Sequence, residues 1–153
     1  IYEAYSEIKK IRDVRQFTGV LYGLSFVGVA LFFTMMLGGD FTDCMVAGVA
    51  GLAMAITQWA LVPFGFNSFF LNMISTLSMA LTAVGFQRFV FANMNIDLVI
   101  IGGIMPIVPG VIFTTAMRDT LNGDYTAGVS RMLETGVVAF AVAVGVALAY
   151  VIL

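Results

Sequence analysis

The sequence predicts an all-α integral membrane protein with five transmembrane helices, the fourth of them broken. Three observations carry that prediction. Hydrophobic residues make up 61% of the 153 and charged residues 10%, against about 45–50% and about 25% in a soluble domain. The apolar residues gather into runs of the length a bilayer crossing needs, parted by short polar turns. One of those runs then interrupts itself: the nine residues Gly102–Gly110 hold three glycines and two prolines, Pro106 and Pro109.

Residues 1–16 carry Glu3, Glu7, Lys9, Lys10, Arg12, Asp13 and Arg15, with Ile8, Ile11 and Val14 at a spacing of three. That spacing suits one face of a helix. A short amphipathic cytoplasmic helix is expected there, leading into a five-span membrane module over residues 17–153. The chain opens IYEAYSEIKK without an initiator methionine and without the layout of a signal peptide, so a longer product is expected.

Span 1 is expected over 17–37, with Gly19, Gly23 and Gly28 as a surface for close helix contact. Gly38-Gly39-Asp40 turns the chain, and Asp43 is placed to cap span 2, which runs over 44–62. Ala47, Gly51 and Ala55 repeat the small-residue device, and Trp59 belongs at an interface. After the turn Pro63-Phe64-Gly65-Phe66, span 3 runs over 67–89 and is the most polar. Ser68, Asn72, Ser75 and Thr82, with Met79 among them, share one face. Hydrogen bonding between helices and contact with a solute path both explain that stripe.

Span 4, over 97–117, is the broken one. A proline removes a backbone donor and clashes with the carbonyl four residues back, and hydrocarbon tolerates such a gap only under protein or a water-lined cavity. The chain after Gly110 reads as a new helix start, whose N–H groups and positive dipole end favour an anion. Thr114, Thr115, Arg118 and Asp119 follow within two turns. Asn122-Gly123 closes this helix and Asp124 caps span 5, over 125–153, with Arg131 and Glu134 near its start. Its length of about 43 Å exceeds the roughly 30 Å hydrocarbon core, so its first turns are expected to project into a cytoplasmic vestibule. Ala139, Ala143 and Ala147, then Ala141, Gly145 and Ala149, form two small-residue ridges on it.

Orientation follows from the basic residues. With the N-terminus inside, Lys9, Lys10, Arg12, Arg15, Arg118 and Arg131 lie on the cytoplasmic side and Arg88 alone outside. The net charge of −2 provides no basic face for nucleic acid. Histidine is absent and Cys44 is the lone cysteine, so no metal centre, cofactor or internal disulfide is expected.

The run PGVIFTTAMRDTLNGDYTAGVSRMLE, with GGIMPIV before it, resembles the threonine/serine exporter family, specifically the first of its two membrane modules. The matching features are Pro109-Gly110, Thr114-Thr115, Arg118-Asp119, Gly123-Asp124, and Arg131 with Glu134. The resemblance is sharp over about a sixth of the chain, and elsewhere only span number and polarity agree. It implies an inner-membrane secondary exporter of small amino acids, driven by the proton gradient, with a second homologous module, fused or separate, or further copies of itself as partner. Some relatives are linked to dicarboxylate export. An odd number of spans suits such pairing, because a second five-span module would be inverted.

On this reading the substrate carboxylate binds at Pro109-Gly110 with Thr114, Thr115 and Arg118, and Asn72 contributes from span 3. Asp119, Asp124, Arg131 and Glu134 would serve coupling or gating. Internal pairing, Arg131 with Glu134 or Arg118 with Asp124, is the plain structural account of the same charges. Two other classes remain open: a non-transporting assembly subunit, and an intramembrane aspartyl enzyme built on Asp119 and Asp124, although no enzyme is expected.

Overall fold

The computed structural model describes residues 19–153; the lead-in helix expected over residues 1–16 lies outside them. Among the described residues the chain forms six α-helices, one short 3-10 turn and no strand. These are α1 (Gly19–Met36), α2 (Phe41–Leu61), α3 (Ser68–Phe89), α4 (Ile96–Ile104), α5 (Gly110–Leu121) and α6 (Tyr125–Ile152). By length and composition, α2 with its 3-10 extension, α3 and α6 can each cross a membrane, and α1 is apolar but shorter. The predicted fourth span is two pieces, α4 of nine residues and α5 of twelve. At 1.5 Å per residue these measure about 14 and 18 Å, so neither crosses alone.

Polar residues set the helix ends. Gly38, at φ +90°, ends α1 by letting its own N–H donate to the Met35 carbonyl and that of Gly39 to the Thr34 carbonyl, both at 3.0 Å. The cap of α2 is Asp40, not Asp43 as the sequence suggested. Asp43 stands three residues further on and reaches back, accepting the Asp40 N–H at 3.1 Å, as the third residue of a capping box does. Asn67 caps α3 by accepting the Phe69 N–H. Asp124 caps α6 as expected, accepting the Ala127 N–H at 3.1 Å. Gly123, at φ +89°, closes α5: its N–H reaches the Thr120 carbonyl and that of Asp124 the Asp119 carbonyl.

The helices pack in sequence, α1 on α2, α2 on α3 and α3 on α6. Helix α4 fills the notch left by α1, α2 and α3, and α5 leans chiefly on α6. The core holds Met54, Met79 and Val99, all fully buried. Small residues fix the close crossings. A Cβ on Gly51 would fall 2.9 Å from the Phe26 carbonyl oxygen, and one on Gly145 would fall 2.6 Å from that of Met73. Of the expected ridges, Ala47-Gly51-Ala55 and Ala141-Gly145-Ala149 are buried, whereas Ala139, Ala143 and Ala147 are exposed. The ridge on α1 is also unused within the chain: nothing lies within 4 Å of a Cβ on Gly23 or Gly28. Phe32, Phe41, Trp59, Leu121 and Val151 are all at least two-thirds exposed, an apolar exterior that suits lipid and would be a liability in water.

Candidate functional site

The break lies between α4 and α5. Pro106 and Pro109 bring no N–H, and the donors that remain turn back on themselves. The Ile107 and Val108 N–H groups both reach the Ile104 carbonyl, at 3.0 and 3.2 Å, and that of Gly110 reaches the Val108 carbonyl at 2.8 Å. Among the described residues, the carbonyls of Met105, Pro106 and Ile107 therefore accept no backbone hydrogen bond, and the N–H groups of Val111 and Ile112 find no backbone acceptor. Met105–Ile107 is half-buried and Gly110 exposed. Beside the break an apolar groove of about 500 Å³ runs between α4 and α6, lined by Ile104, Val108, Pro109, Val142 and Val146 among others.

The predicted site residues divide over two faces of α5. Gly110, Thr114 and Arg118, at four-residue steps, form one exposed stripe. The Thr114 hydroxyl donates to the Val111 carbonyl at 3.0 Å, and the Arg118 side chain is 71% exposed. Thr115 is half-buried and donates to the Val111 and Ile112 carbonyls at 2.8 and 2.9 Å. The opposite face packs on α6, where Ala116 and Thr120 lie against Gly128. At its margin Asp119 meets Arg131 across the hairpin at 3.3 Å, and Arg118 Nε stands 3.9 Å from Asp119. The pairings considered from sequence give way to this one, because the hairpin brings Arg131 to Asp119 while Asp124 is engaged as a cap. Glu134 is exposed one turn after Arg131. Asn72 is half-buried in α3, a helix that packs on α2, α4 and α6 rather than on α5.

Several buried polar groups lie outside the predicted site. Ser75 and Thr76 are fully buried, and their hydroxyls have no hydrogen-bond partner among the described residues. Met79, one turn after Ser75, lies against Gly103 just before the break, while Thr76 lies against Gly145 of α6. The polar stripe read from sequence contained Ser75 and passed over Thr76, which turns to the adjoining face. Two cross-helix bonds join the long helices: the Thr57 hydroxyl donates to that of Ser78 at 2.8 Å, and the Tyr22 hydroxyl donates to the Gln58 side chain. Asp43, 1% exposed, links α2 to the start of α4. Its signal in the sequence was the pair of aspartates three residues apart at a helix start.

An apolar helical bundle with three helices long enough to cross a bilayer and one discontinuous helix is the architecture of a polytopic membrane protein, and broken helices of this kind recur in transporters. The particular family follows from comparison. Residues 1–153, the whole chain, match the model of the family described as "Putative threonine/serine exporter". The chain belongs to that family, a family of membrane transporters. No curated protein and no solved structure matches it.

Proposed function

We propose that this chain is one module of a proton-driven secondary exporter for small amino acids of the threonine/serine kind. In this reading the chain crosses the membrane five times, with its N-terminus in the cytoplasm and its C-terminus outside. α4 and α5 together make the fourth crossing.

The observation that carries the reading is the divided span. The Val111 and Ile112 amides form a pair of donors at the start of α5, and Thr114 and Arg118 extend the same open face. A substrate carboxylate would be held at the amides, helped by the Thr114 hydroxyl once it leaves the Val111 carbonyl, and Arg118 would receive it at the cytoplasmic mouth. Thr115 lines the flank, Pro109-Gly110 keeps the amides open, and Asn72, on a helix that does not pack on α5, would reach the path only from the side of α4. The Asp119–Arg131 pair and Glu134 are the groups that would carry coupling or gating; Asp124 contributes through its cap.

The Val111 and Ile112 N–H groups, without a backbone acceptor among the described residues, cannot remain against hydrocarbon at low cost. That face therefore calls for a cover, and a second homologous module, or a further copy of this chain, would complete the path. Efflux of labelled threonine, serine and a dicarboxylate from proteoliposomes, with and without the second module and with an imposed proton gradient, tests the proposal. Threonine or serine efflux that needs the gradient is expected. Dicarboxylate efflux alone would change the substrate class. Transport by the partner module unaffected by omission of this chain would leave it an assembly subunit.

A further inference from the structure

The broken span sets two helix ends of opposite character side by side. The Val111 and Ile112 N–H groups open α5, and the carbonyls of Met105, Pro106 and Ile107, without a backbone donor among the described residues, follow the end of α4. A helix ends in partial negative charge and starts in partial positive charge. The break therefore offers acceptors for a cation on one side and donors for an anion on the other.

Two buried hydroxyls stand at the level of the acceptor side. Contacts fix the register of α3: Met79 Sδ lies 2.7 Å from a Cβ placed on Gly103 of α4, and the Thr76 Cβ lies 3.0 Å from one placed on Gly145 of α6. α4 follows α3 through the short loop 90–95 and runs back along it. The level one turn before Met79 is thus the level one turn after Gly103, at Met105–Ile107. Ser75 and Thr76 occupy that level, about 40° and about 60° to either side of the Met79 line. Both are fully buried, and neither hydroxyl has a partner among the described residues. Thr34, Thr57, Thr82 and Thr120 instead bond back to a carbonyl of their own helix. α3 packs on both α4 and α6, so Thr76 lies at the base of the apolar groove that runs between them to Val108 and Pro109.

We propose that the carbonyls of Met105–Ile107 and the hydroxyls of Ser75 and Thr76 form a subsite for the ammonium group of an α-amino acid whose carboxylate sits at the Val111 and Ile112 amides. The subsite rests on the exporter reading. An ammonium brings three N–H donors and no acceptor, and every group here can accept from it. The zwitterion carries its own counter-charge, so the protein need not bury an ion to match it. A dicarboxylate would set its second carboxylate against the carbonyls, acceptor facing acceptor, and is disfavoured. Entry needs rotation of the aliphatic side chains that line the groove, with the helices in place.

Competition against labelled L-threonine tests the subsite, on the full chain in lipid nanodiscs with the second module present. β-Hydroxybutyrate lacks the amino group and threoninamide lacks the carboxylate. Each should compete roughly ten- to a hundredfold more weakly than threonine, and so should succinate. Thr76→Val and Ser75→Ala should weaken threonine while leaving β-hydroxybutyrate where it was. Competition by β-hydroxybutyrate or succinate equal to that of threonine would overturn the subsite and leave the carboxylate site standing. Threoninamide equal to threonine, with β-hydroxybutyrate weak, would support the subsite and remove the carboxylate site instead. Threonine that does not bind at all would remove the exporter reading and the subsite together. Variants that bind both ligands as the unaltered chain does, or weaken both alike, would overturn the part given to the hydroxyls. If neither variant folds, the ligand series on the unaltered chain decides.

Discussion

Gly102 of α4 lies directly on Thr34 of α1: a Cβ placed on it would meet the threonine hydroxyl and fall 2.9 Å from the Thr34 N and 3.0 Å from the Ala30 carbonyl oxygen. Two of these neighbours are backbone atoms and cannot swing away. Gly102→Ala should destabilise the chain by about 1–3 kcal/mol, the usual cost of overpacking. Gly28→Ala is the contrast, because its Cβ meets nothing within 4 Å. There the gain in helix propensity should leave stability unchanged or raise it by up to about 1 kcal/mol. Thermal unfolding of both variants in one detergent checks the pair. Equal effects would mean that α4 does not sit against α1 as described.

The Asp119–Arg131 pair joins α5 to α6 at 3.3 Å, with the side chains 19% and 47% exposed. A pair this open contributes roughly 0.2–1 kcal/mol to stability. Asp119→Asn and Arg131→Gln should therefore shift unfolding little. If the pair gates the path, each should lower export about tenfold or more, and exchanging the two residues should restore part of it. Export that follows stability in all three variants would reduce the pair to a structural brace.

Ser75 and Thr76 give a test in which stability and function point in opposite directions. A buried hydroxyl without a partner costs about 1–3 kcal/mol of desolvation. Ser75→Ala and Thr76→Val should accordingly leave the fold equally or more stable, Thr76→Val keeping the shape that meets Gly145. Export reduced in a variant that is no less stable would mean that a solute or ordered water uses the hydroxyl during the cycle. Unchanged export would assign both groups to packing.

Much of this architecture was legible because membrane helices advertise themselves. Length and apolarity put spans 1, 2, 3 and 5 within a few residues of α1, α2, α3 and α6, and Pro106 and Pro109 located the break. Gly123 and Asp124 were readable because αL closure and N-capping each demand particular residue types at fixed offsets. Tertiary pairing was not. Arg131 has carboxylates near it in sequence, but only the angle of the α5–α6 hairpin selects Asp119. The small-residue ridges looked alike in sequence, and packing buried those of α2 and one of α6 while leaving Gly23 and Gly28 open. Asp43 looked like an ordinary cap because its second partner, Asn95, lies 52 positions away.

The open stripe on α5 permits the sharpest test of the substrate site. Gly110 has no positive φ, and nothing lies within 4 Å of a Cβ placed on it, so Gly110→Ala should fold normally. Any loss of affinity would then come from crowding beside the Val111 and Ile112 amides, in the space where a carboxylate would sit. Thr114→Val keeps the side-chain shape and removes the hydroxyl. A hydrogen bond to a charged group contributes about 1.5–3 kcal/mol, so affinity should fall roughly ten- to a hundredfold. Arg118→Lys keeps the charge and loses the guanidinium fork: a bidentate role predicts a large defect, and simple attraction a small one. Substrate affinity and export rate are measured in all three, normalised to folded protein, with the second module present to cover the stripe. If all three bind and export as the unaltered chain does, the start of α5 is a kink that serves packing, and the path lies elsewhere.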